Sequence, residues 1–391
     1  MGCTDSADSA ASNRLDGIAP DKLVANAPQG AWTAEEAWTV EPVLSLGGLD
    51  ADPEYQFGEV SGVDVDGAGN IYVADKQAQH VRVFSPSGEL LRVIGRPGEG
   101  PGEFGVNIGG VFSIGNEIVV PDVSSRRVSY FDLEGAFLRS ERFDVERGIP
   151  IRWDVAAGRL VAQRRLIVPG DQTASTGDVV VTLAPDAQQV DTILQLPLGQ
   201  SVQVTGGLPK IVQFMPEPVW DAAPDGRVAV AMTDAFELEV HSPAGELEWV
   251  ASIPSPDVPV RDSHRRAVEQ SFREMYRTQG IPPNVSEEVI ARMEFADRLP
   301  VVADIMFGPR DTLWVREFTP PDEFADDRVR VSVQDMGALN WRVLDSTGRY
   351  LGDVSFPVDF RPTRVIGDRF YGVSRDELDV PTVQVFRVVT E

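Results

Sequence analysis

Cysteine is nearly absent: the chain has one, Cys3, so no intrachain disulfide can form. Long apolar runs are missing too. None approaches the roughly 18 residues that a membrane-spanning helix needs. Histidine occurs three times, as His80, His241 and His264, at spacings unlike any zinc site, so a metal site is not expected. No G-x-S-x-G elbow is present to support a hydrolase triad. Positive charge is in deficit, with 35 basic against 61 acidic residues and a net charge of −26. Such a chain repels phosphates, which argues against nucleic acid as a partner and against electrostatic docking on anionic membranes. The charge serves solubility first and attraction of cations or basic ligands second. Hydrophobic residues still make up 42 % of the 391, enough for a folded core.

Short alternating runs fill the space those absences leave. Phe57 to Phe104 contains GVDV, NIYVAD, HVRVF and LLRVIG, each with the period of two that marks a strand. Asp66-Gly67-Ala68-Gly69-Asn70 and Ser85-Pro86-Ser87-Gly88 supply turns between them. Four antiparallel strands in so short a stretch make a small twisted sheet that cannot bury both faces alone. Copies on either side are required.

The copies are present. The outer turn after Phe84 returns at Phe131-Asp132-Leu133-Glu134-Gly135, at His241-Ser242-Pro243-Ala244-Gly245 and at Leu344-Asp345-Ser346-Thr347-Gly348, and in degenerate form at Leu183-Ala184-Pro185-Asp186-Ala187. Inner hairpins give a second marker, for example Trp153-Asp154-Val155 before Leu160 and Trp220-Asp221-Ala222 before Val228. Six units result, at about 57–95, 105–143, 149–196, 214–254, 301–356 and 360–389. The sixth has three strands, while Val40 to Leu46 is a strand without a neighbour at the other end of the chain. Pairing the two closes a ring and removes the open edge. The expected fold is therefore all-β, a single six-bladed β-propeller over 38–391 closed by its N-terminal strand. A monomer is expected.

At this point the residues resemble a family. Phe57 to Phe104 looks like an NHL repeat, and Trp38 to Val389 is similar to bacterial six-bladed propellers of the NHL-like class, many of them lipoproteins. The resemblance implies a fold; the class mixes scaffolds, binders and a few enzymes, so it implies no single activity. Met1-Gly2-Cys3 before a small, polar stretch resembles the mature start of a bacterial lipoprotein, with Cys3 as the lipid anchor, and residues 1–37 are expected to be a disordered tether or leader. An N-myristoylated start and an ordinary cytoplasmic cysteine are the competing readings. The expected location is extracytoplasmic, on the membrane or in the periplasm, with the cytoplasm as the alternative.

Two stretches do not fit the repeat. In 260–300, Val268, Phe272, Met275 and Tyr276 lie on one helical face, ended by Gly280 and Pro282-Pro283; Ser286 is placed to cap a second helix with Val289, Met293 and Ala296 on its apolar face. A helical hairpin is thus inserted between units four and five, packed on the propeller or serving as a lid or partner surface. In 318–339, Pro320-Pro321-Asp322-Glu323 and Asp326-Asp327 make an acidic surface loop.

Four units place an aspartate at one register of the innermost strand: Asp64, Asp154, Asp221 and Asp304. Carboxylates gathered on an axis repel unless compensated, and Arg152, Arg361 and Arg364 are neighbours for the purpose. Each aspartate is expected to bond its own turn backbone; the functional reading is a ligand or a divalent cation on the axis. Asp75 and Asp122, each followed by arginines, read as structural. Gly95 to Gly102 has no following helix to make a phosphate loop, and reads as the crossing from one blade to the next. No catalytic residue or cofactor is assigned. The sequence favours a non-enzymatic scaffold binding a protein or a small molecule at the cell envelope. The alternative is a propeller lyase or lactonase using the axial carboxylates and a cation.

Overall fold

The computed structural model describes residues 15, 17–146, 148–167, 175–184, 190–197, 202–205 and 208–390. Six antiparallel sheets follow one another along the chain. From the innermost strand outward, blade one is Val60–Val65, Ile71–Asp75, His80–Phe84 and Leu90–Ile94. Blade two is Phe112–Ile114, Glu117–Asp122, Arg127–Asp132 and Phe137–Arg142; blade three is Ile149–Ala156, Arg159–Ile167, Ser175–Leu183 and Val190–Leu196. Blade four is Pro218–Ala222, Val228–Met232, Glu237–His241 and Leu247–Ser252; blade five is Val302–Phe307, Leu313–Phe318, Gly337–Leu344 and Tyr350–Ser355. Blade six is Phe360–Ile366, Arg369–Arg375 and Pro381–Val389, and its outermost strand is Thr39–Gly47 from the other end of the chain. The six-bladed propeller is closed as the orphan strand required.

The core lies between blades as six wedges. Tyr72, Val83 and Ile94 of blade one meet Ile118, Val120 and Phe131 of blade two. The wedge between blades five and six is aromatic, with Trp314 and Phe370 rings 4.7 Å apart and Phe356 edge-on to Phe386 at 5.3 Å. Such ring geometry adds about 0.5–1.5 kcal/mol per pair beyond burial. The last wedge joins Val383 and Val385 of blade six to Val63 and Val73 of blade one, so the ring has no unpacked face. The glycine-rich crossing is held by the Phe104 N–H on the Arg96 carbonyl at 2.8 Å. Gly95 there has φ +76°, and a Cβ on it would come within 2.2 Å of the Phe104 ring, so no other residue fits.

Sequence expectations are corrected at two places, the N-terminal stretch and the second inserted helix. Of the stretch 1–37 expected as a tether, 17–37 is described, and from Pro20 on it runs along the propeller's outer edge. Leu23–Ala25 adds a parallel strand to Leu247–Ser252 of blade four, Asn26 bonds Gly348 and Tyr350 of blade five, and Trp32 packs on Gly352 and Trp38. Apolar residues spaced through a polar segment gave no periodic signal of this role. Cys3 and the turn at 185–187 lie outside the described residues.

The helical insertion forms two helices, α1 (Asp262–Thr278) and α2 (Pro283–Ile290). Ser286 is no cap: α2 begins at Pro283, whose fixed φ suits a first turn, and the Ser286 hydroxyl donates to the Pro283 carbonyl at 3.1 Å. Met293 and Ala296 lie beyond the helix, beside a two-residue strand, Glu294–Phe295, that pairs with a hairpin (Val202–Thr205 and Leu208–Gln213) between blades three and four. That hairpin left no mark in the repeat pattern.

Candidate functional site

A cavity of about 660 Å³ sits at one mouth of the propeller. Inner strands of all six blades line it, through Gly62, Phe112, Asp154, Asp221, Asp304 and Thr363 among others, which places it on the axis. Its rim is completed by Arg328, Val329, Arg330, Gln334 and Asp335 from the insertion in blade five.

Three of the four axial aspartates, Asp64, Asp154 and Asp221, act as staples between blades. Asp64 accepts the N–H of Val65, next in its own strand, at 2.8 Å and that of Ser113 on blade two at 2.8 Å. Asp154 does the same with Val155 at 2.7 Å and Ala222 of blade four at 3.3 Å. Asp221 accepts from Phe307 of blade five at 2.7 Å, and Asp304 from Ile305 at 3.0 Å. At ring closure Thr363 of blade six donates its hydroxyl to the Val63 carbonyl of blade one at 3.3 Å. The expectation that each aspartate serves its own turn is corrected: Asp64, Asp154 and Asp304 accept from the next residue of their own strand, and Asp64, Asp154 and Asp221 accept from a backbone N–H of the next blade.

Two arginines compensate the charge. Arg364 reaches Asp64 at 3.0 Å and Asp154 at 3.7 Å. Arg152 stands 3.6 Å from Asp221 and 3.9 Å from Asp304, its guanidinium 4.9 Å over the Trp220 ring. Arg361, the third expected neighbour, faces Asp335 instead, at 3.7 Å. Burial raises the Asp64 pKa, against the pull of Arg364 and two N–H donors. Asp221 is raised well above the carboxylate range, first by burial and then by the Asp154 charge. Among the described residues no three Asp, Glu, His or Cys side chains gather as a metal site.

The loop 319–336, within the stretch 318–339 expected as an acidic surface loop, carries arginines that sequence reasoning passed over. Arg328 and Arg330 both hold Asp326, at 3.1 and 2.8 Å, while Arg316 and Arg328 share Asp359 at 2.7 and 2.9 Å. Arg330 keeps the Asp326 carboxyl far below its usual range. The alternation Arg328-Val329-Arg330 inside an acidic stretch was the available signal. Below this loop, Phe272 of α1, Val289 and Ile290 of α2, Ile211 of the hairpin and Met336 form a seventh core. The His264 Nε2 lies 3.3 Å from Asp322, and its Nδ1 accepts the Arg261 N–H at 3.1 Å. Both departures from the repeat thus fold together as one satellite whose loop lines the cavity.

The structural aspartates behave as read. Asp75 accepts from Gly58, Glu59 and Ala78, and Asp122 from Gly105, Ser124 and Ser125. Arg82 is 3.9 Å from Asp75, but Arg127 turns to the carbonyls of Glu99 and Glu103 in the crossing.

Residues 48–155 match the family DUF5128, a 6-bladed beta-propeller. The match covers blades one and two and most of the first strand of blade three, under half of the chain. Two solved structures share the whole ring. A member of the DUF4221 family from Bacteroides vulgatus has a TM-score of 0.56 at 11 % identity, covering 91 % of this chain and 100 % of its own. A Bacteroides fragilis protein described as exported has a TM-score of 0.51 at 12 % identity, covering 94 % and 100 %. Virginiamycin B lyase from Staphylococcus aureus lies further off, with a TM-score of 0.43 at 11 % identity over 90 % and 100 %. No curated protein matches the chain. At these identities the likeness is one of fold.

Proposed function

We propose that this NHL-like propeller is a binding protein of the bacterial cell envelope that takes a small polar molecule into the axial cavity. The observation that carries the reading is the cavity itself: about 660 Å³, within the range of small-molecule sites, closed at the sides by six blades and rimmed by a loop with its own supporting core. Most of its charged lining holds the walls. Asp154 spends both carboxylate oxygens on backbone N–H groups, and Arg316, Arg328 and Arg330 are engaged with Asp359 and Asp326. An envelope location is supported by the Bacteroides fragilis protein of the same fold, which is described as exported.

A propeller lyase or lactonase is the second reading, favoured by one feature: Asp221 is a carboxyl in a cleft with a strongly raised pKa, as a general acid requires. Incubation of the protein with a bacterial metabolite extract, followed by mass spectrometry of the retained and released fractions, separates the two. A compound retained by the wild type, released unchanged, and lost in Val329→Trp, which fills the rim, is the expected result. A product formed in excess of the protein would establish the enzyme instead.

A further inference from the structure

The basic groups lining the cavity divide into those already held and those that are not. Arg316 donates to the Ala338 and Gly337 carbonyls at 2.8 and 3.0 Å and to Asp359 at 2.7 Å. Arg328 and Arg330 are held by Asp326, Arg375 donates to the Asp379 carbonyl at 2.9 Å, and Lys76 pairs with Glu59 at 2.7 Å. Arg152 and Arg361 differ. Neither donates a hydrogen bond among the described residues. The carboxylates nearest Arg152, Asp221 and Asp304, stand beyond hydrogen-bond reach, and so does Asp335 at 3.7 Å from Arg361, whose side chain is 52 % exposed.

Their positions are related. Arg152 lies two residues before Asp154 on the innermost strand of blade three, and Arg361 two before Thr363 on that of blade six. In a ring of six, blades three and six face each other across the axis, so two unfilled guanidinium forks line the cavity from opposite walls. A fork of this kind matches a carboxylate by two parallel hydrogen bonds, and the Trp220 ring, 4.9 Å below the Arg152 guanidinium, supports it from one face. Asp221, beside Arg152, opposes an incoming anion less than its formal charge implies, because burial and the Asp154 charge favour its neutral form.

We propose that the axial cavity binds a small molecule bearing two carboxylate groups, one held by Arg152 and the other by Arg361. The inference rests on the binding reading above and names its ligand class. The test is calorimetry of the full chain with a series of linear α,ω-dicarboxylates from succinate to suberate, each beside its monocarboxylate and its diamide. One chain length should bind roughly tenfold or more tighter than both controls, as charge-assisted bidentate pairs are the strong ones. Arg152→Gln and Arg361→Gln should each weaken it by a similar factor, with thermal melts confirming that both variants fold; Arg361 is exposed enough that its loss does not threaten the core. Dicarboxylates that bind no tighter than diamides, that bind equally well to both variants, or that do not bind at all overturn the proposal. Retention of a neutral or cationic metabolite in the extract experiment alongside that failure would leave the binding reading standing.

Discussion

Asp64 and Arg364 carry the most deeply buried ion pair of the axis. Asp64 is 1 % exposed, and its charge is tolerated because Arg364 lies 3.0 Å away and two N–H groups point at it. Removing one partner of such a pair leaves an uncompensated charge in a dry place. Arg364→Met is therefore expected to cost about 3–5 kcal/mol in urea unfolding, and Asp64→Asn in that background to recover part of it. Asp221 supplies a pH effect of definite sign. Its folded pKa is raised, so the folded state binds a proton that the unfolded state releases near pH 4. Ionisation is then a penalty on folding that is absent below the unfolded pKa and grows as pH rises toward the folded one. The stability of the wild type relative to Asp221→Asn should fall with rising pH from about 4 upward, and the two should run parallel below it. Of these groups, all four aspartates and both compensating arginines were legible from the shared register and the repulsion it implies. That Asp64, Asp154 and Asp221 reach a backbone N–H of the next blade was not, because no local pattern records what the neighbouring blade offers.

The satellite core is the element on which the cavity rim depends. Phe272 of α1 packs there with Val289, Ile290 and Met336, and Met336 precedes the strand that follows the rim loop. Phe272→Ala should cost about 3–5 kcal/mol within this unit. It should make 319–336 the first site of limited proteolysis, while hydrogen exchange in blades one and two stays as in the wild type. Uniform acceleration across all blades would show that the satellite and the ring unfold together. The helices were legible in the spacing of Val268, Phe272 and Met275, since a buried stripe imposes a period. The hairpin at 202–213 and the edge strand at Leu23–Ala25 were not. Short strands that add to an existing edge need backbone hydrogen bonds more than a side-chain pattern, and Leu23–Ala25 has only three residues in which to show one.

For the molecule as a whole, closure is the decisive step. Thr39–Gly47 both completes blade six and covers the edge of Pro381–Val389, which is otherwise open to another chain. A chain shortened to begin at Leu49 should elute as aggregate or oligomer in size-exclusion chromatography, where the full chain is expected as a monomer. Its thermal transition should broaden as the wedge of Val383 and Val385 against Val63 and Val73 loses support. By itself the sequence determined the ring: period-two alternation and turn residues are local properties, repeated six times, and a strand missing at one end with a spare at the other leaves one way to close. Only the tertiary structure decided how the groups on the axis pair. Arg152 meets Asp221 and Asp304, and Arg361 meets Asp335, because blade twist and stagger set which side chains of distant strands converge, and no local pattern encodes that. The rim was decided in the same way, since an acidic loop became an arginine-lined wall once the helices beneath it fixed its path.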